Sequence, residues 1–146
     1  MQRPQLSLKG RALRYLSQRE HSRAELERKL AKHAEDAAEV KRALDDLQAR
    51  GFIDHQRVAD SVVNRRAAKL GALRIKQELQ AKGLEPALVD AALAGLKSTE
   101  LDRAREAWRR RFAAPPQDAS ERAKQARFLA ARGFSGEVIT RVLKGD

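Results

Sequence analysis

The sequence predicts an all-α protein, an elongated array of three tandem three-helix repeats with helix-turn-helix-like units, curving to the right or to the left. Three observations predict this fold. Ala, Leu, Glu, Lys, Gln and Arg dominate the 146 residues while aromatic side chains make up 4%, a composition that favours helices over strands. Apolar positions recur with a period near fifty residues, and cap or break residues separate successive apolar stripes.

The repeat is visible position by position. The middle and last copies share five positions fifty residues apart: Leu79, Gly83, Leu84, Val89 and Leu93 match Leu129, Gly133, Phe134, Ile139 and Leu143. A more diverged first copy lies forty-nine residues before the middle one, at Leu30, Val40 and Leu44. We expect a tail over 1–8 and repeats over 9–53, 54–97 and 98–146. Because three short helices offer little apolar surface, we expect each repeat to bury its stripe against the next in one continuous core.

The first repeat shows clear helix boundaries. We expect its first helix to bury Leu13 and Leu16 on one face. Ser22 and Glu25 have the spacing of a capping box, which predicts that the second helix begins at Ser22. The third helix has an apolar stripe at Val40, Leu44 and Leu47. Gly51 is placed to end that helix in a left-handed conformation.

The later repeats follow the same plan. Asp54 is the expected N-cap of the second repeat, Gly71 and Gly83 separate its helices, and Pro86 fits the first turn of its third helix. The apolar face of its first helix consists of Val58, Val62 and Val63. In the third repeat we expect a cap at Ser98 or Thr99, a break at Pro115-Pro116, and helices over 119–132 and 135–144.

Positive charge is concentrated in three blocks. The net charge is +11, and the isoelectric point is near 10.7. Lys and Arg outnumber acidic residues by eight to three over 9–32, seven to two over 57–82 and nine to five over 99–132. The segments that follow each block are neutral or acidic. Such a distribution favours an acidic protein surface or nucleic-acid phosphates as the partner.

The sequence offers no catalytic constellation. Cysteine is absent, which excludes disulfides and thiolate metal ligands, and no Gly-rich phosphate loop is present. His21, His33 and His55 lack the spacing of three or four residues that places two ligands on one helix face. We therefore expect no enzyme activity, no metal and no cofactor. The start lacks a signal-peptide pattern and no long apolar run occurs, which predicts a cytoplasmic protein with no membrane partner.

Several motifs resemble one known family. The stretch over 12–30, ALRYLSQREHSRAELERKL, resembles the RecX signature of Tyr-Leu-Ser, Arg, Ser-Arg and Glu-Leu ahead of Lys-Leu. Further blocks that resemble the family include Leu47, Gly51, Phe52, Ile53, Asp54 and Ala59, then Gly71, Ile75, Glu78, Leu79 and Gly83, then the stretch over 124–134. The chain departs from the family at His55, where a second aspartate is frequent, and at Val58, where an aromatic residue is frequent.

The resemblance implies a regulator that lies along the helical groove of the RecA recombinase filament and contacts neighbouring subunits. It would reduce ATP hydrolysis, strand exchange and coprotease activity, by blocking the groove or by destabilising filament growth. We expect a monomer that also binds single- and double-stranded DNA weakly through charge. The expected contacts are the basic side chains of the first two helices of each repeat: Arg14, Arg19, Arg23, Arg28, Arg65, Arg66, Lys69, Arg74, Lys76, Arg109, Arg110, Arg111, Lys124 and Arg127.

Other interpretations stay open. These charges could form an ordinary solvated face. Three-helix units with basic second helices also fit a helix-turn-helix DNA-binding protein, and a helical adaptor could use its charge only for solubility. Tyr15 and Trp108 could stack on a base, but the spacing of Trp108 with Leu101 and Phe112 favours the core.

Overall fold

A computed structural model describes residues 6–145, and within that range the chain forms nine α-helices and no strand. In chain order they are α1 Leu8–Gln18, α2 Arg23–Ala31, α3 Ala37–Ala49, α4 His55–Arg66, α5 Ala72–Ala81, α6 Pro86–Ala94, α7 Glu100–Arg111, α8 Ala119–Ala131 and α9 Gly136–Lys144. They pack in threes, as unit 1 (α1–α3), unit 2 (α4–α6) and unit 3 (α7–α9). The prediction of three tandem three-helix repeats is confirmed. α1 begins inside the range predicted as a tail, and residues 1–5 of that tail lie outside the described residues.

Most helix boundaries follow from local chemistry. The Ser22 hydroxyl accepts from the Glu25 amide at 3.2 Å, and the Glu25 carboxylate accepts from the Ser22 amide at 3.0 Å, so the predicted capping box is present. Asp54 caps α4 through the Arg57 amide at 3.0 Å. Gly51 has a φ of 82°, the left-handed end predicted for α3.

The expected side-chain cap of α7 is wrong. Thr99 makes no capping hydrogen bond, and its hydroxyl instead donates to the Leu96 carbonyl at 3.2 Å. A 3₁₀ turn over Lys97–Thr99 leads directly into α7. This turn gives Thr99 a helical conformation, whereas a capping side chain needs an extended one.

Each unit closes its own hydrophobic core, so the expected continuous core is wrong. Unit 1 is centred on Leu26, Leu30 and Leu44, unit 2 on Ile75 and Leu79, and unit 3 on Leu129 and Phe134. The reason is geometric: in every unit the three short helices pack on one another, which already covers their apolar stripes.

The buried face of α1 differs from the expected one. Leu13 was expected on that face, but its side chain is 37% exposed. The buried face is centred instead on Ala12, with Leu8, Tyr15 and Leu16 packed against the core of unit 1. The small side chain of Ala12 allows α1 to approach α3 closely, which rotates Leu13 outward.

The two junctions between units are polar and follow one rule. The first residue of the next unit caps the second helix of the unit before it. At junction 1–2, the Arg23 amide donates to Nε2 of His55 at 3.2 Å. At junction 2–3, the Ala72 amide donates to Oε1 of Glu100 at 3.0 Å. The family that the sequence resembles often has aspartate at the position of His55. Here the imidazole accepts the Arg23 amide in place of a carboxylate.

The units follow one another in a row. Within residues 6–145, the side-chain hydrogen bonds and ion pairs between units join unit 1 to unit 2 and unit 2 to unit 3, and none joins unit 1 to unit 3. The accessible surface is 9376 Å², whereas a compact protein of this mass is expected to expose about 7,500 Å².

Over residues 6–145, no helix combines the length and apolar character that crossing a bilayer requires.

Candidate partner-binding surface

The fourteen basic residues expected to make contacts all lie outside the cores. Thirteen are exposed, and Arg23 is half-buried. They divide into two groups by whether a carboxylate neutralises them. This division matters because an arginine already held by an acid offers a partner less charge and a less adaptable side chain.

Six of the fourteen form ion pairs within the chain. Arg19 pairs with Glu25 at 2.6 Å, and Arg23 pairs with Asp45 at 2.7 Å. The remaining four share two acids: Arg65 and Arg66 contact Glu78 at 3.6 and 3.1 Å, and Arg109 and Arg110 contact Glu106 at 3.7 and 3.3 Å. The pairs of Arg23, Arg65 and Arg66 join two helices, whereas those of Arg109 and Arg110 lie within α7.

The other eight have no carboxylate oxygen within 4.0 Å among the residues that the structure describes. They occur in every unit: Arg14, Arg28, Lys69, Arg74, Lys76, Arg111, Lys124 and Arg127. An exposed positive charge without an acidic partner in its own chain is available to pair with an acidic surface or a phosphate. These eight residues, which we call the unpaired cations, form the candidate surface.

A buried carboxylate ties the first junction together. Glu25 accepts from Arg19 at 2.6 Å and from Lys82 of unit 2 at 3.1 Å, and its side chain is 8% exposed. Burial raises the pKa of Glu25, but hydrogen bonds from Arg19, the Ser22 amide and Lys82 outweigh it and lower the pKa to about 2. No sequence pattern indicates this contact, since Lys82 lies 57 positions away.

His21 is a structural residue. Its ring is buried, Nδ1 lies 3.0 Å from the Arg19 carbonyl, and Nε2 lies 2.9 Å from Nζ of Lys29. Because the ammonium can only donate, Nε2 accepts and Nδ1 carries the proton. Burial lowers the pKa of His21, and the charges of Arg19 and Lys29 lower it further. Across residues 6–145, no three acidic or histidine side chains converge to hold a metal ion.

Arg103 connects two units, a role that the sequence analysis did not predict. Its guanidinium donates to the carbonyls of Ala67, Leu70 and Leu96 at 2.9, 2.7 and 3.3 Å, joining unit 3 to unit 2. The available signal was its place in α7, four residues before the buried Ala107 and so on the same edge of the helix. Its neighbours in the basic block concealed that signal.

The aromatic residues pack as expected. Trp108 is half-buried against the core of unit 3, and its indole N–H donates to Gln125 at 2.8 Å. Tyr15 packs against the core of unit 1 with the Lys29 ammonium 4.6 Å above its ring. Both rings are therefore committed to the fold.

Junction 2–3 brings three of the expected residues together. Lys69, Arg110 and Arg111 line a cleft of about 210 Å³, and Arg132, which was not among the expected contacts, completes its basic lining. Phe128 also lines the cleft, with the Arg132 guanidinium 4.6 Å from its ring. The sequence signal for Arg132 was its position directly before Gly133, which matches Lys82 before Gly83.

Fold and surface define a class: a basic tandem array of three-helix units that offers charged contacts on each unit. Family models describing the first, second and third three-helix domains of RecX match residues 9–47, 54–93 and 98–143. The chain belongs to the RecX family.

Similar proteins agree over nearly the whole length. The chain is 61% identical to the Regulatory protein RecX of Leptothrix cholodnii, over 97% of this chain and 90% of the relative. It is 50% identical to the Regulatory protein RecX of Ralstonia nicotianae, over 98% of this chain and 90% of the relative. Two crystal structures share the fold. A regulatory protein RecX has a TM-score of 0.81 and 24% identity, over 95% of this chain and 72% of that chain. RecX from Lactobacillus salivarius has a TM-score of 0.80 and 21% identity, over 94% of this chain and 93% of that chain.

Proposed function

We propose that this chain is a cytoplasmic regulator that binds the RecA nucleoprotein filament as a monomer and restrains it. Binding lowers ATP hydrolysis, strand exchange and coprotease activity, and so modulates recombination, DNA repair and the SOS response. The observation that carries the proposal is the row of three units, each presenting unpaired cations. Membership of a family whose members are called regulatory proteins supports it.

A row of units suits a polymer better than a single globular partner. Polar junctions hold neighbouring units together, so contacts made by one unit bring the next within reach of an adjacent filament subunit. Unit 1 offers Arg14 and Arg28, and unit 3 offers Lys124 and Arg127 at the other end of the row. Weak contacts at both ends then add up to tight binding, because the second contact forms at high effective concentration.

Both components of the filament can attract these cations. Exposed carboxylates of the recombinase and phosphates of the bound DNA strand are negative, and neither requires a deep pocket. The acid-paired residues, such as Arg65 and Arg66, contribute less because they share Glu78, whose single negative charge offsets one of their two positive charges.

A helix-turn-helix DNA-binding function fits the surface less well. In a homeodomain-like unit, the third helix reads the major groove and needs basic or polar side chains. α6 has one charged residue, Asp90, and α3 carries three acidic residues against two basic ones. The third helices of units 1 and 2 therefore lack the charge that groove binding requires.

RecA-catalysed ATP hydrolysis on single-stranded DNA tests the proposal directly. Substoichiometric amounts of the wild-type chain should inhibit turnover. The triple variant Arg14→Glu, Lys76→Glu and Arg127→Glu removes one unpaired cation from each unit and should weaken inhibition at least tenfold. The matched triple variant Lys41→Glu, Arg141→Glu and Lys144→Glu changes charge equally on α3 and α9 and should inhibit nearly as well as wild type.

Three other outcomes would contradict the proposal. Undiminished turnover with wild-type chain would remove the proposed inhibition. Tight retardation of one particular duplex without any effect on turnover would favour the helix-turn-helix alternative. Indifference to both DNA and recombinase would favour a helical adaptor.

A further inference from the structure

The two junctions are built from equivalent positions that carry different charges. Ser22 and Gly71 are the N-cap residues of the second helices of units 1 and 2, and the third residue after the cap is Glu25 in one and Arg74 in the other. The facing position is the C-cap residue of the next unit's second helix, Lys82 or Arg132. An acid therefore faces a base at junction 1–2, and two bases meet at junction 2–3.

The hydrogen bonds confirm this contrast. Glu25 and Lys82 form a salt bridge of 3.1 Å with both side chains largely buried. At junction 2–3, Arg74 donates to the Ala131 carbonyl at 2.7 Å, and Arg132 donates to the Lys69 carbonyl at 3.4 Å. Backbone carbonyls orient these guanidinium groups but do not neutralise them, so positive charge remains at this junction.

The cleft beside this junction collects that charge. Lys69, Arg110, Arg111 and Arg132 line it, and no carboxylate does among the residues described. Within the same range, only Arg110 of these four has an acid partner, Glu106 at 3.3 Å. Arg132 lies 4.6 Å from the ring of Phe128, and Arg111 lies 5.3 Å from the ring of Phe112 and 6.0 Å from that of Phe128, so cation-π contacts hold both guanidinium groups at the cleft.

Such an arrangement is electrostatically unfavourable in the free protein. Like charges held close together repel, and the partly enclosed cleft weakens the screening by water. A bound anion removes that repulsion. The planar donor forks of Arg111 and Arg132 suit the oxygen atoms of a phosphate group, and Lys69 adds a point charge.

The size and surroundings of the cleft favour a nucleic-acid backbone. About 210 Å³ is below the roughly 300 Å³ of the smallest ordinary small-molecule pockets. A protein carboxylate would supply one negative charge, whereas a strand supplies one at each nucleotide. The exposed Lys124 lies one helical turn before Phe128 on α8 and so on the same helix face, which extends the positive surface beyond the cleft.

We propose that the cleft between units 2 and 3 binds a backbone phosphate of single-stranded DNA. The inference rests on the proposed function in one respect: it locates the strand contact of a protein that acts on a DNA-bound filament. Lys69, Arg111 and Arg132 hold the phosphate, and Phe128 positions the Arg132 guanidinium group.

Binding of the isolated chain to a fluorescent oligothymidylate, measured over a range of salt concentrations, tests the proposal. The variant Lys69→Gln/Arg111→Gln should bind at least tenfold more weakly, with a salt slope smaller by about 0.7 for each phosphate that it no longer neutralises. The control Arg141→Gln/Lys144→Gln removes the same charge from exposed positions of α9 that lie outside the candidate surface, and it should bind less than threefold more weakly. Equal weakening in the two variants would overturn the cleft assignment. An oligoglutamate peptide that bound as tightly as the oligothymidylate, and lost as much affinity in Lys69→Gln/Arg111→Gln, would also overturn the proposal, because the ligand would then be a protein carboxylate.

A second measurement needs no variant and so does not depend on folding. Lysine acetylation of the wild-type chain, read by mass spectrometry, should slow severalfold at Lys69 when oligothymidylate is added and remain unchanged at Lys41 of unit 1. Unchanged acetylation at Lys69 would overturn the proposal. Neither experiment contains recombinase, so a chain that fails to inhibit RecA but protects Lys69 refutes only the proposed function, and the reverse result refutes only the cleft.

Discussion

Gly71 and Gly133 meet backbone to backbone across junction 2–3. The Gly71 amide donates to the Arg132 carbonyl at 2.7 Å, and the Leu73 amide donates to the Gly133 carbonyl at 3.1 Å. A Cβ atom on Gly71 would lie 2.5 Å from the Gly133 carbonyl oxygen, a separation that real Cβ atoms do not adopt. Glycine at position 71 is therefore required by the neighbouring unit and not by its own conformation, since its φ is −83°.

The variant Gly71→Ala should open this junction while leaving the cores of units 2 and 3 folded. Forcing a methyl group against backbone costs about 1–3 kcal/mol. Hydrogen exchange should show faster exchange at the Gly71 and Leu73 amides, with core amides such as that of Leu79 still protected. Gly136→Ala is the matched control, because nothing lies within 4 Å of a Cβ there, and it should leave these amides protected. Unchanged protection in Gly71→Ala would contradict the described packing.

Glu25→Gln should destabilise the chain and remove part of its acid sensitivity. The pKa of Glu25 is about 2 in the folded chain, against an ordinary value of 4.5, so its contribution is complete above pH 4.5 and is lost as the pH falls toward 2. That contribution is on the order of 2–3 kcal/mol. Urea unfolding at pH 7 and at low pH measures it.

Glu27→Gln is the control for this experiment, because Glu27 is half exposed and pairs only with Arg23 among the residues described. It should cost less than about 1 kcal/mol at either pH. Equal destabilisation in Glu25→Gln and Glu27→Gln would refute the view that Glu25 ties units 1 and 2 together.

His21 should make stability fall as the solution becomes mildly acidic. Burial and the nearby cations Arg19 and Lys29 lower the pKa of His21 below 6.5, so the unfolded chain binds the proton more readily. Stability is complete above pH 6.5 and declines as the pH falls below that value. The pKa of His33 is also lowered, by desolvation and by the charges of Arg11 and Lys32, but its ring is exposed and water screens those charges. The slope of unfolding free energy against pH between 7 and 5 should therefore flatten more in His21→Gln than in His33→Gln. Equal flattening in the two variants would contradict the role of the buried His21 ring.

Arg103→Gln should weaken the connection between units 2 and 3. The substitution leaves the Ala67, Leu70 and Leu96 carbonyls without their donor, at a cost of about 2–4 kcal/mol. Arg105→Gln, which removes only a 3.7 Å pair with Asp102, should cost less than about 1 kcal/mol. Thermal unfolding of the two variants ranks them, and similar midpoints would contradict the assigned role of Arg103.

Local features of this fold could be predicted from the sequence because their partners are close in the chain. Ser22 and Glu25 define a helix start within three residues, and Gly51 ends a helix by its own conformation. The buried face of α1 was harder to predict, because whether Ala12 or Leu13 is buried depends on how closely α3 approaches α1. Hydrophobicity alone favoured the larger residue.

The junctions could not be predicted in this way. Glu25 meets Lys82, and Arg74 meets the Ala131 carbonyl, across 57 residues in both cases. Some ion pairs are local: Arg109 and Arg110 contact Glu106 on their own helix, at a spacing visible in the sequence. Others, such as those of Arg65 and Arg66 with Glu78, depend on how two helices pack, so the full division into paired and unpaired side chains required the structure.

The stoichiometry of binding to a preformed RecA filament on single-stranded DNA tests the central claim most directly. Co-sedimentation of the wild-type chain with the filament, titrated to saturation, gives the number of recombinase subunits for each bound chain. A row of three contacting units predicts saturation at one chain for two or more subunits. Saturation at one chain for each subunit, or no co-sedimentation, would contradict it.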